Sequence, residues 1–168
     1  MYSATHVTPC YLTNTLTKTV PFIHTITLKN PDGTEVYVQA LFDNGAMTGA
    51  MCSSVFKTVK HNLKGWQQLT QALRMANRTI IPSEATWMGT IHIEGIEATG
   101  TFEVFNSGGR WSFLFGKPLL QAFRAKHDYD TDEVTIRDNN NTVTLHNNFA
   151  RQALPALLAE HLPGTENH

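Results

Sequence analysis

The stretch Leu41-Phe42-Asp43-Asn44-Gly45-Ala46-Met47, LFDNGAM, carries an apolar strand straight into a carboxylate and then turns. Asn-Gly is a strong hairpin-turn signal, because both residues tolerate positive φ. An Asp ahead of such a turn commonly accepts hydrogen bonds from local backbone donors. By itself, Asp43-Asn44-Gly45 marks a structural turn. Only partners elsewhere in the chain promote it to a site.

Upstream, Glu35 to Phe42 alternates, with Val36, Val38, Ala40 and Phe42 on one face. It returns from a first strand, Val20 to Leu28, across the turn Asn30-Pro31-Asp32-Gly33. In that first strand Val20, Phe22, Ile26 and Leu28 share a face, and His24 interrupts it. Downstream, Ser53-Ser54-Val55-Phe56 opens a short helix with a Ser as its cap; Val55, Phe56, Val59 and Leu63 recur at helical spacing. Lys64 to Gln71 is polar and reads as loop. Leu73 to Ile81 and Ala85 to Ile93 are predicted as a pair of strands around Pro82-Ser83. Glu94-Gly95 turns into a strand from Ile96 to Phe105. After the turn Asn106-Ser107-Gly108-Gly109, Trp111 to Phe115 is an apolar strand ending at Gly116. Pro118 suits the first turn of a helix whose apolar face is Leu119, Leu120 and Phe123. Glu133 to Arg137 and Thr142 to Leu145 form a last hairpin across Asp138-Asn139-Asn140-Asn141. Helices are few and short, so the class is mainly β. Residues 1–19 read as an N-terminal arm, 20–147 as the domain and 148–168 as a tail with a short helix.

The composition suits one globular domain: 168 residues, 41% hydrophobic and 16% charged. A net charge of −1 without a basic stripe argues against nucleic acid as a partner. No apolar run is long enough to span a bilayer, and the start MYSATHVTPC lacks a secretory pattern. The two cysteines, Cys10 and Cys52, lie far apart and read as free thiols, which together with that start predicts an intracellular, cytoplasmic location. The eight histidines are scattered, with no i, i+4 pair beside an acid, so neither a metal nor another cofactor is predicted. The tryptophans and Met47, Met51 and Met75 are read as packing residues.

Leu114-Phe115-Gly116 echoes the first landmark: an apolar strand, a glycine loop, then a short helix. The order is strand, Asp loop, helix, hairpin, strand, Gly loop, helix, strand. It resembles the retropepsin-like aspartic protease domains of retroviruses and long-terminal-repeat retrotransposons. Ala40-Leu41-Phe42-Asp43-Asn44-Gly45-Ala46 is similar to the family's apolar-apolar-Asp-Thr/Ser-Gly-Ala strand end. Arg74-Met75-Ala76-Asn77 is similar to the start of the flap hairpin in gypsy-type elements, and Leu114 to Leu120 to the apolar-apolar-Gly segment with its helix. His127-Asp128-Tyr129 and Glu133-Val134-Thr135-Ile136 resemble the closing strand. FGKPLLQAF also resembles fungal retrotransposon polyproteins. The resemblance covers roughly Pro21 to Leu145.

The resemblance implies a retropepsin-like acid protease β-barrel with short helices after the Asp loop and after the Gly116 loop. It implies an aspartic endopeptidase acting on peptide or polyprotein substrate, with Asp43 catalytic and Asn44, Gly45 and Ala46 as its loop. Met75, Ala76, Asn77 and Arg78 would be flap and substrate-binding residues. Such chemistry requires two carboxylates sharing one proton around a water. The Leu114-Phe115-Gly116 loop carries no acid, so the pair requires a two-fold homodimer that sets Asp43 beside its own copy. At Asn44 the family has a Thr or Ser whose hydroxyl holds the two loops across the axis; an Asn amide both donates and accepts. Two alternatives stay open: a catalytically inactive dimerisation or peptide-binding module of the same shape, and an unrelated barrel in which Asp-Asn-Gly is only a hairpin turn.

Overall fold

The structure is a computed structural model that describes residues 19–68, 72–74 and 80–149. The predicted arm, apart from Thr19, lies outside the described residues, as do Met75, Ala76, Asn77 and Arg78 and the tail from residue 150 onward.

Strand β1 (Phe22–Lys29) buries Phe22, His24, Ile26 and Leu28, and β2 (Glu35–Phe42) buries Val36, Val38 and Ala40. They pair antiparallel from Phe22↔Phe42 to Lys29↔Glu35. The connecting turn has Gly33 at φ +89, a conformation that favours glycine. Asn30 ties the turn to the neighbouring loop, donating to Thr34 Oγ1 and to the Asn62 carbonyl, each at 2.7 Å. His24 does not break the inward face. It is buried, and its Nε2 lies 2.9 Å from Glu94 Oε2.

The longest ladder joins β7 (Ala85–Ile93) to β8 (Ile96–Phe105), antiparallel from Ala85↔Val104 to Ile93↔Ile96. Its two-residue turn has Glu94 at φ 45 and Gly95 at φ 91, the left-handed pair that suits the twist of a tight hairpin. Between β2 and β7 lie β3 (Ala50–Cys52), helix α1 (Ser53–Val59) and β4 (Gln67–Gln68). After β8 come β9 (Phe113–Phe115) and helix α2 (Lys117–Ala122). The sheet order is β1-β2-β9-β3-β8-β7-β4, and β1 also pairs with β7, so six strands close on themselves with β4 at the rim. A second sheet, β10 (Lys126–Asp128), β11 (Glu133–Arg137) and β12 (Thr142–His146), packs Val134, Ile136 and Leu145 into the same core. The last hairpin is therefore as the sequence predicts.

Aromatic rings fill the barrel. Phe102 stacks on Trp87 with centroids 5.2 Å apart and meets Phe113 edge-on at 5.3 Å. The Trp87 indole N–H donates to the Lys64 carbonyl at 2.8 Å, which satisfies its one polar atom. Phe102 is fully buried, so Phe102→Ala is expected to cost about 3–5 kcal/mol. Urea unfolding of the two proteins checks this; a loss under about 1 kcal/mol would contradict the packing described here.

Four expectations need correction. No Ser side chain caps α1: the N-cap is Cys52, and Ser53 Oγ donates instead to Glu84, whose own N–H is held by the Val104 carbonyl of β8. Leu73 to Ile81 is not one strand paired with Ala85 to Ile93. Strands β5 (Ala72–Arg74) and β6 (Ile80–Pro82) pair with each other, while β7 takes β8, because Pro82 ends the smaller hairpin. Gln67–Gln68, read as loop, pairs with Thr86 and Ala85; the barrel rim supplies a partner that polarity alone does not show. Met47 is 69% exposed, whereas Met51 is buried in the core.

Candidate active site

Strand β2 runs parallel to β9, with Ala40↔Phe113, Leu41↔Leu114 and Phe42↔Phe115. Two apolar strands thus end side by side, and the loops that follow them, at Asp43 and at Gly116, emerge at the same place. Phe42 and Phe115 stack at 4.6 Å just beneath. Backbone bonds lock the loops together: the Asp43 N–H donates to the Phe115 carbonyl at 3.1 Å, and the Lys117 N–H to the Ala46 carbonyl at 2.7 Å.

Gly116 is required by space and not by its backbone angles. Its φ of −80 suits any residue, but a Cβ there would lie 2.1 Å from the Thr48 carbonyl oxygen and 2.9 Å from that of Ala46. The hairpin reading of Asn44-Gly45 is wrong on two counts. Neither residue has a positive φ, and β2 and β3 do not pair with each other, since β9 lies between them.

Asp43 is half-buried. Its Oδ1 accepts the Gly45 N–H at 2.8 Å, and its carbonyl accepts the Ala46 N–H at 3.2 Å. No other hydrogen bond to the carboxylate is found among the described residues. The carboxylate is therefore oriented by its own turn and keeps acceptor capacity. Asn44 is exposed, and its Nδ2 donates to the Tyr129 hydroxyl at 3.4 Å.

Asp43 and Asn44 form one wall of a groove of about 950 Å³, lined also by Phe22, Lys117, Leu120, Arg124, Tyr129 and Asp132. Asp132 is engaged elsewhere, by His127 at 2.8 Å and Asn147 at 2.7 Å. The structure thus brings together Asp43, Asn44, Gly45 and Ala46 with Leu114, Phe115 and Gly116. Tyr129 joins them from 85 residues away, and no local pattern in the sequence announces it as a site residue. Among the described residues no group of three His, Cys, Asp or Glu is placed to hold a metal ion, and no helix is long and apolar enough to cross a membrane.

No family model matches the sequence, and no curated protein is significantly similar to it. Solved structures do match. The retroviral protease-like domain of Ddi1 from Leishmania major superposes with a TM-score of 0.55 and 17% identity, covering 79% of this chain and 99% of that one. The EIAV protease complexed with the inhibitor HBY-793 gives a TM-score of 0.50 and 15% identity, covering 66% of this chain and 95% of that one. Closed barrel, interlocked Asp and Gly loops and these superpositions lead to one conclusion: the chain has the mainly-β, retropepsin-like fold.

Proposed function

We propose that this chain is an aspartic endopeptidase that acts as a homodimer on peptide or polyprotein substrate, with Asp43 as the catalytic residue of each copy. The observation that carries this is the placement of Asp43. It sits at the end of a buried strand, in a loop locked to the Gly116 loop, with its carboxylate oriented by the Gly45 N–H. Asn44, Gly45 and Ala46 shape that loop, and Leu114, Phe115 and Gly116 support it.

The chemistry follows from one acid per chain. In an isologous pair the two Asp43 carboxylates meet at the axis. Two like charges in contact do not both ionise, so the pair would share one proton around the water. The ionised member takes a proton from the water between them. The neutral member donates to the scissile carbonyl and polarises it. Water attacks the carbonyl carbon, and the resulting tetrahedral species collapses by returning a proton to the leaving amine.

Met75, Ala76, Asn77 and Arg78 are assigned here to substrate contact, on the sequence resemblance alone. The sequence landmarks further suggest that the domain is cut from, or cuts, a polyprotein of the long-terminal-repeat retrotransposon kind. Cys52, buried and without a disulfide partner among the described residues, suits a reducing, intracellular compartment.

The second functional possibility, an inactive binding module, rests on Asn44. A peptide-library cleavage assay from acid to neutral pH separates the two. Wild type should cut at mildly acid pH, and Asn44→Thr should match or exceed it, because a hydroxyl is shorter and reaches the axis with less freedom. If wild type is inert and Asn44→Thr alone confers cleavage, the natural chain is the binding module. If both are folded, dimeric and inert, the enzyme assignment is wrong.

A further inference from the structure

We infer that Tyr129 is a positioning residue of the Asp43 loop, holding the Asn44 side-chain amide through its hydroxyl. This rests on the proposed aspartic-protease function for its catalytic consequence, though not for the contact itself.

Tyr129 is 71% exposed, and an exposed ring ordinarily samples several rotamers. Here it is constrained from both ends. Its ring stacks on His127, with centroids 4.2 Å apart and planes 27° apart. His127 is pinned in turn: Nε2 lies 2.8 Å from Asp132 Oδ1, and Phe22 meets the imidazole edge-on at 5.3 Å. Asp132 is held by the Asn147 amide at 2.7 Å, and the same Nδ2 donates to the Pro21 carbonyl at 2.9 Å. Asn147 Oδ1 accepts the Ile23 N–H at 3.0 Å. A continuous series of contacts thus runs from the first barrel strand through Asn147, Asp132, His127 and Tyr129 to Asn44.

The Asn44 Nδ2 donates and the Tyr129 oxygen accepts, at 3.4 Å. The amide nitrogen is therefore directed toward Tyr129, and the Asn44 carbonyl oxygen is directed away from it, free to accept. Asn44 directly follows Asp43, so the contact holds the side chain of the residue next to the proposed catalytic carboxylate. A side chain longer than a Thr needs such a tether, because it has one more torsion to hold.

The contact is exposed, so it adds little to stability and acts through geometry. Tyr129→Phe keeps the ring stack and removes only the hydroxyl. In nitrogen-15-labelled full-length protein, the Asn44 side-chain amide peak, identified by its loss in Asn44→Thr, is expected to shift in Tyr129→Phe and to exchange faster with water. In the cleavage assay, kcat is expected to fall about tenfold with KM within about twofold and the melting temperature unchanged. In an Asn44→Thr background, Tyr129→Phe should have no further effect, because its target is gone. An Asn44 amide peak unmoved by Tyr129→Phe overturns the inference, and so does an equal fall in kcat in the Asn44→Thr background. If wild type and Asp43→Asn cleave alike, the protease assignment fails. The amide peak then decides the tether by itself, a shift supporting it and an unmoved peak overturning it.

Discussion

Asp43→Asn is expected to abolish peptide hydrolysis while leaving the fold and the proposed dimer in place. One gene encodes both halves of the proposed catalytic pair, so a single substitution removes both carboxylates. Neither a base for the water nor a proton for the carbonyl is then left. Positioned acid–base groups contribute roughly 10²–10⁴-fold each, and losing both should bring the rate to background. The fold should survive because Asn is nearly isosteric and its Oδ1 can still accept the Gly45 N–H that now binds Asp43 at 2.8 Å. The half-buried position predicts a stability change within about 0.5 kcal/mol. Cleavage of a peptide library, sedimentation and thermal melting of both proteins check the three parts separately. Undiminished cleavage by a folded Asp43→Asn dimer would move catalysis away from this loop.

Gly116→Ala is expected to destabilise the domain severely, by about 3 kcal/mol or more. The added methyl would sit 2.1 Å from the Thr48 carbonyl oxygen and 2.9 Å from the Ala46 oxygen and the Thr48 carbonyl carbon. All three are backbone atoms, so no side-chain rotation relieves the clash. The loops must separate, which breaks the bond from Lys117 N–H to the Ala46 carbonyl and strains the one from Asp43 N–H to Phe115. Denaturant unfolding measures the loss. Gly33→Ala is the control: nothing lies within 4 Å of its Cβ, and only its φ of +89 is unfavourable, so it should cost about 1 kcal/mol. Equal losses at both glycines would mean that the loops are not interlocked as described.

Much of the barrel is legible in the sequence because its strands are half-buried and alternate. Val36, Val38 and Ala40 announce β2, and a two-residue Glu94-Gly95 turn between long apolar runs announces the β7–β8 hairpin. The segments that fail are those whose partners are remote. Strand β3 has three buried residues, Ala50, Met51 and Cys52, with no alternation to mark it; it exists because β8 flanks it in parallel and β9 in antiparallel. Gln67–Gln68 is polar and two residues long, and only the β7 edge makes it a strand.

Asn44-Gly45 shows the limit most clearly. Local chemistry says hairpin turn, yet both residues keep ordinary φ, and the strands on either side are separated by β9. A dipeptide preference is worth about a kilocalorie, and the closure of a six-stranded barrel outweighs it. By itself the sequence determined the alternation that makes a mainly-β chain, the turns at Gly33 and Gly95, and the order of the Asp and Gly landmarks that resembles a retropepsin. Only the tertiary structure decided that those landmarks touch, that Gly116 is needed for space where its φ is ordinary, and that Tyr129 reaches Asn44. Proximity between residues 85 apart is a property of how β2, β9 and β10 are assembled, and no local periodicity encodes it.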